Sequence, residues 1–264
     1  MVDTIRSLAS LKTIMADNNT NNITPQNERD FLVSVDPENA VQTGALASAP
    51  AAQKGGFLYA CNDAPYLIRD TGAAQEVWGP FFKMTLPIDG NYAWLNQGSA
   101  TVTVNGSIHL ASPGASADNL RVRLKNAPAT PYNISAYIRG FSYPGSSGFF
   151  GLCFSDGTKI MTFGLGTVST GGQRNQFSKW NSATSFSTNY LDNPSLCDFS
   201  GWMRISDNGT NRICSFSPDG FNWIQAHSVG NTDFLTATKV GFYVQTNVGA
   251  ANFVGCTLYS WKET

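Results

Sequence analysis

Charge is scarce in this chain. Asp, Glu, Lys and Arg make up only 13% of its 264 residues, against about 25% in an average soluble domain. The surface must therefore be built from Ser, Thr, Asn, Gln and Gly, which suits a protein that works outside a cell or packed against copies of itself. The formal net charge is −1 and no run of Lys or Arg could neutralise several phosphates at once, so nucleic-acid binding has no electrostatic footprint. No stretch approaches the roughly 20 apolar residues needed to span a bilayer. The N-terminus, MVDTIRSLASL, lacks the basic start and long apolar core of a signal peptide, which points to a protein made in a cytoplasm that does not leave by the general secretory route.

Paired cysteines are missing too. Cys61, Cys153, Cys197, Cys214 and Cys256 are far apart, odd in number and never in a CxxC arrangement, so neither a zinc site nor a disulfide framework is supported. Buried free thiols are the expectation. Histidine is limited to His109 and His227, and each falls in a strand-like run rather than beside a nucleophile. No GxSxG elbow, HExxH, P-loop or dinucleotide fingerprint is present, and no dense set of oxygen ligands for calcium. No cofactor, metal or catalytic residue is assigned, and the chain reads as a non-enzyme.

What is present divides the chain into three. Over residues 1–36, Ile5, Leu8, Leu11 and Met15 recur at helical spacing. A polar cluster from Asp17 to Asn22 ends that helix, and a second starts at Thr24 as N-cap with Pro25 in its first turn. Phe31, Leu32 and Val35 mark the apolar face of the second. Helices this short cannot bury their stripes alone, so the segment is read as an attachment module in which Ile5, Leu8, Leu11, Phe31, Leu32 and Val35 dock on a partner. Residues 37–90 are read as a linker, extended and rich in Ala, Gly, Pro and Ser as far as 56, followed by a small β collar.

Over 91–264, short β-prone runs are separated by Asn105-Gly106, Asp156-Gly157, Asn208-Gly209 and Asp219-Gly220. That spacing predicts a mainly β fold, an antiparallel sandwich. The segment Trp202–Trp223 reads as a β-meander turning at two of those pairs. With KVGFYVQTN and the final NFVGCTLYSW it resembles the C-terminal half of a concanavalin-A-like or laminin-G-like jelly roll, the sandwich of many glycan-binding domains. ITPQNERDFLVSV resembles a stretch near the N-terminus of many tailed-bacteriophage fibre and virion proteins. GPFFKMTLP followed by YAWLNQGSATVTVNGSIHL resembles the opening of the sandwich domain in such proteins.

This resemblance implies a structural virion protein, assembled in the host cytoplasm, whose N-terminal helices attach to other virion proteins of the tail, baseplate or capsid. The sandwich then projects outward as a tail-fibre or receptor-binding appendage able to meet a host surface glycan, and threefold symmetry, usual for such fibres, implies a homotrimer. A head-decoration fibre without a receptor role and a free glycan-binding lectin are the alternatives. The segment Ser217–Trp223 also resembles the Asp-box hairpin of sialidases, which is structural there.

Glycan contact is assigned to Trp180 and Tyr190, because they lie in the long polar segment Thr170–Asp198, and to Tyr143 in a neighbouring loop. Aromatic faces stack on sugar rings while amides and hydroxyls bind their polar edges. The competing reading places these rings in the sandwich core or a subunit interface.

Overall fold

The computed structural model describes residues 41–44, 58–61, 67–70, 73–78, 84–142, 147–168, 172–194, 201–247 and 252–264. The chain divides into two compact units, Met1–Lys83 and Met84–Thr264. In the first, β1 (Val41–Gly44), β2 (Leu58–Cys61), β3 (Leu67–Asp70) and β4 (Gln75–Trp78) form one sheet in that order. β1 runs parallel to β2 and the other pairs are antiparallel. Tyr59 and Ile68, opposite each other in the register, are buried. β1 falls inside the segment read as extended linker. The attachment residues Ile5, Leu8, Leu11, Phe31, Leu32 and Val35 lie outside the described residues, as does Tyr143.

The second unit is an antiparallel sandwich of two seven-stranded sheets, the class the turn spacing predicts, with the jelly-roll form that the resemblance implies. Its strands are β5 (Ala93–Leu95), β6 (Thr101–Val104), β7 (Ile108–Pro113), β8 (Leu120–Asn126), β9 (Tyr132–Phe141), β10 (Gly148–Ser155) and β11 (Ile160–Thr167). They continue as β12 (Gln173–Ser182), β13 (Ser185–Pro194), β14 (Gly201–Asp207), β15 (Asn211–Ser217), β16 (Ile224–Gly230), β17 (Lys239–Gln245) and β18 (Phe253–Glu263). The front sheet has the order β13-β12-β11-β10-β17-β8-β5 and the back sheet β16-β15-β14-β9-β18-β7-β6. Each glycine of the four anticipated turns has positive φ, from +79° at Gly220 to +101° at Gly157, a region that costs other residues energy. All four turns join consecutive strands. Residues 84–90 belong to this unit, since the Trp261 amide donates to the Thr85 carbonyl at 2.8 Å and the Thr85 amide to Ser260 Oγ at 2.9 Å.

Side chains alternate across each strand, and the inner faces meet in one core. Phe150, Leu152, Phe154, Met161, Phe163 and Phe242 of the front sheet pack with Ile134, Ile138, Met203, Ile205, Cys214 and Leu258 of the back sheet. Cys153, Cys214 and Cys256 are buried free thiols, as expected of them.

The front sheet is also buried on its other face. Every residue of β10 and β11 is buried. Leu120, Val122, Leu124, Phe149, Cys153, Ile160 and Tyr243 form a second cluster there, together with Trp180 and Ala183. Tyr243 lies flat across the sheet because its register neighbours in β10 and β11 are Gly151 and Gly164. A Cβ at Gly164 would stand 2.1 Å from the Tyr243 hydroxyl, so the ring excludes any side chain there.

The segment Thr170–Asp198, read as a polar loop, is instead largely the hairpin of β12 and β13. Register shifts at Phe177/Ser178, Lys179/Trp180 and Trp180/Ser182 are β-bulges, which break the period-2 alternation and bend the strands. Bent in this way, the hairpin curls back over the front sheet. The Leu120 amide of β8 donates to the Ala183 carbonyl at 2.7 Å, although β11, β10 and β17 separate β12 from β8 within the sheet.

Trp180 is carried into the second cluster at 0% exposure. An indole with no accessible face cannot stack on a sugar, so its place is in the core, which corrects the assignment of Trp180 as a ligand contact. Trp180→Ala is expected to lower the unfolding free energy by about 3–5 kcal/mol, the cost of emptying a buried aromatic site. Urea denaturation checks this, and a loss below roughly 1 kcal/mol would mean that the hairpin does not hold the indole as described.

Candidate functional site

At one end of the sandwich the two sheets part to leave a cleft of about 180 Å³ lined by Gly140, Phe141, Ser142, Phe150, Gly166, Thr167 and Gln173. β9 supplies Gly140 and Phe141, β10 supplies Phe150, β11 ends in Gly166 and Thr167, and β12 begins with Gln173. The volume is below the roughly 300–1,000 Å³ that encloses a drug-sized molecule, so the cleft suits one ring or the end of a chain. Gly140 lets the chain pass over Phe150, whose ring would stand 2.6 Å from any Cβ placed there. Ser142 Oγ and Thr167 Oγ1 are 2.6 Å apart and share a hydrogen bond. Phe141 borders the cleft through its backbone, while its 40%-exposed ring lies on the outer face of the back sheet, over Gly255 and edge-to-face with the exposed Phe253 at 5.2 Å.

None of the seven lining residues ionises. The Phe150 ring at the base, two hydroxyls and an amide, all without charge, can pack against and hydrogen-bond a neutral polyhydroxylated ring. The cleft lies where the segment before Tyr143 meets the start of Thr170–Asp198, the two regions singled out in the sequence. The residues that line it were not, because Phe141, Thr167 and Gln173 come together only when three strand ends are aligned. The one local signal was FSYPGSSG, an aromatic pair running into a turn-forming stretch.

Tyr190 lies elsewhere, on the side of the sandwich where the edge strands β13 and β16 are neighbours. Its ring stacks on Phe177 at 4.9 Å and meets His227 of β16 at 5.4 Å. Its hydroxyl donates to Asp233, and Lys179 Nζ sits 4.0 Å over the ring while pairing with Asp233 at 3.3 Å. Burial pushes the Tyr190 phenol above its ordinary pKa, and the Asp233 carboxylate adds to the rise. The bond accepted from Tyr190, helped by Lys179, holds Asp233 below the usual carboxylate range. Behind this cluster the fully buried Arg212 donates to the carbonyls of Asn231 and Leu235 and stands 3.9 Å from Asp207. The assembly ties both sheets to the segment 231–235. Tyr190 is thus a half-buried bracing residue whose ring faces are taken by Phe177 and Lys179.

The carboxylates of the sandwich among the described residues are engaged. Asp89 pairs with Arg123, Asp192 with Arg174, Glu263 with Lys125 and Asp233 with Lys179. Asp118, Asp156 and Asp207 accept bonds from Asn247, Thr158 and Gly209. Asp219, in the Asp-box-like turn, accepts from the Phe221 and Asn222 amides and the Asn222 side chain, and those bonds hold its carboxyl well below the usual range. Among the described residues no group of three His, Cys, Asp or Glu side chains is placed to hold a metal ion.

No family model matches the chain, and no curated protein matches its sequence. Solved structures do resemble the sandwich. A legume lectin-like domain from Entamoeba histolytica is 8% identical with a TM-score of 0.45, over 66% of this chain and 90% of that one. The CBM2 module of the evolved Dit of Lactobacillus casei BL23 phage J-1 is 14% identical with a TM-score of 0.44, over 66% and 80%. The GH43 BlXynB protein from Bacillus licheniformis is 12% identical with a TM-score of 0.49, over 75% of this chain but only 44% of its own. At these identities and TM-scores the likenesses add nothing to the antiparallel two-sheet sandwich that the strand order itself defines.

The brace around Tyr190 gives a pH dependence of defined sign. Burial between Phe177 and Tyr190 pulls the His227 imidazole below its ordinary pKa of 6.5, so the unfolded chain takes up that proton first as pH falls. Stability therefore declines with pH below 6.5 and on toward the lowered folded value. The depressed Asp233 and Asp219 act separately, their contribution being lost only below 3.8. In His227→Gln the slope of unfolding free energy against pH just below 6.5 is expected to flatten. An unchanged slope in equilibrium unfolding would remove His227 as its source.

Proposed function

We propose that this chain is a non-catalytic appendage protein of a tailed-phage particle, and that its lectin-like sandwich holds a neutral sugar of the host surface in the cleft between Phe150 and Gln173. The cleft carries the reading. It combines the Phe150 ring at its base, a hydroxyl pair and an amide with no ionisable group, a composition that suits a saccharide and offers nothing for proton transfer. The engaged carboxylates support the non-catalytic part, since acid and base catalysis of glycoside cleavage needs two free ones facing each other. The low charge of the chain and the stretch ITPQNERDFLVSV support the virion part. In this reading residues 1–36 anchor the protein to tail, baseplate or capsid, and the copies associate as a homotrimer.

Two expected outcomes test it. Ser142→Ala and Gln173→Ala should each weaken adsorption of particles to host cells by roughly fivefold, about 1 kcal/mol per lost contact, with unfolding curves close to wild type because Gln173 is exposed and Ser142 only half-buried. Adsorption equal to wild type in both variants, with the fold intact, would dissociate the cleft from receptor binding. A chain lacking residues 1–36 should fold yet be missing from assembled particles. Full occupancy of that chain on particles, counted by immunogold labelling, would refute the anchor.

A further inference from the structure

The outer face of the back sheet carries a pattern that the cleft does not use. Strand register places Lys262 of β18, Ser135 of β9 and Arg204 of β14 in one cross-strand row. Two residues along the strands, about 6.8 Å away, Tyr137 stands beside Trp202 and Tyr259 in the next row. Its ring centroid is 5.3 Å from Trp202 and 5.9 Å from Tyr259. One step further, Arg139 pairs in register with Thr257, which pairs with His109. An aromatic strip is therefore flanked on both sides by cations.

Those cations are available and partly preorganised. Arg204 Nε donates to Ser135 Oγ at 2.9 Å and its guanidinium lies 3.7 Å over the Trp223 ring, which fixes the fork without neutralising it. Arg139 and Lys262 are exposed, and neither forms an ion pair among the described residues. Among the described residues no carboxylate on the strands of this face is free to balance them. The acids borne by the back-sheet strands, Asp207 and Glu263, stand opposite the inward Tyr132 and Ile134 and are held by Arg212 and Lys125. Asp219, beside Trp202, has its oxygens occupied by its own turn. In a chain with net charge −1, this face is locally cationic.

We propose that the outer face of the back sheet is a second glycan site, specific for an acidic polysaccharide bearing uronate carboxylates. The chain of sugars crosses the strands along Trp202, Tyr137 and Tyr259, with its carboxylates paired to Lys262 and Arg204 on one side and to Arg139 on the other. The half-buried Tyr137 and the 39%-exposed Tyr259 supply the rings, while Trp202 backs them beneath the Gly220 turn, where a Cβ would come within 2.9 Å of the indole. A second copy of this face is a poor occupant, because the two-fold contact would bring like charges together. Nucleic acid is disfavoured as well, since a phosphate at every step calls for a denser run of cations. This site goes beyond the neutral-sugar cleft in both place and charge.

The test uses the full chain and two polymers, polyglucuronate and a neutral glucan of the same linkage, with affinity measured by calorimetry. Wild type should bind polyglucuronate more tightly than the glucan, and added salt should weaken that binding. Arg139→Ala with Lys262→Ala should lower the affinity on the order of tenfold, and Tyr259→Ala several-fold, with unchanged melting curves because all three side chains are exposed. Unaltered affinity in the double variant, or equal affinity for both polymers, would overturn the proposal. Tighter binding of single-stranded DNA than of polyglucuronate would overturn it in favour of a nucleic-acid surface. A loss of polyglucuronate binding in Gln173→Ala, with the double variant unaffected, would assign the polymer to the cleft and overturn it equally.

Discussion

Burial of the front sheet on both faces is the constraint from which the rest of the sandwich follows. A sheet in a two-layer fold ordinarily keeps one face in water and alternates apolar with polar residues along each strand. Here β10 and β11 admit no exposed residue, so something must cover the second face. The β12–β13 hairpin does so by bending at its bulges and laying Trp180 and Ala183 over Phe149, Cys153 and Tyr243. Gly164 is required beneath Tyr243 for the same reason, since a Cβ there would meet the ring's hydroxyl, while a Cβ at Gly151 would meet the Phe163 carbonyl.

The bend has effects beyond the cover it provides. The inner face of β12 and β13 presents Phe177 and Tyr190 to the edge of the back sheet, where His227, Asp233 and the buried Arg212 complete the brace. Ionic and aromatic groups there do structural work that backbone pairing does elsewhere, because β13 and β16 end their sheets and have no further strand to pair with. At the other end the sheets are not braced in this way, and the cleft opens between β9, β10, β11 and β12. With one face of the front sheet covered by its own hairpin, the outer face of the back sheet is the broad strand surface on which aromatic and cationic rows stand in register.

Much of the architecture was legible in the sequence. The turn glycines fell between strands because a reversal whose glycine takes positive φ leaves a strong local mark. The meander from Trp202 to Trp223 was readable for the same reason, and the Asp219 turn proved to be a hydrogen-bonded structural device. The hairpin of Thr170–Asp198 was not legible. Its bulges shift the phase of alternation three times, so no window shows a clean period of two, and its polar residues imitate a loop. Trp180 and Tyr190 were noticed for being aromatic in polar surroundings, yet the bend turns both inward. The cleft was legible only as a neighbourhood, since its lining comes from four strand ends distant in sequence.

Three thiols are distributed in a way that turns the molecule into its own reporter. Cys153 lies under the hairpin, whereas Cys214 and Cys256 lie between the sheets. Burial raises the pKa of all three, and thiol chemistry proceeds through the thiolate, so an alkylating reagent reaches them only through opening. Labelling at Cys153 times the lifting of the hairpin, and labelling at Cys214 and Cys256 times the parting of the layers. With Cys61 and Cys197 replaced, the native cysteines separate local from global breathing without an introduced probe.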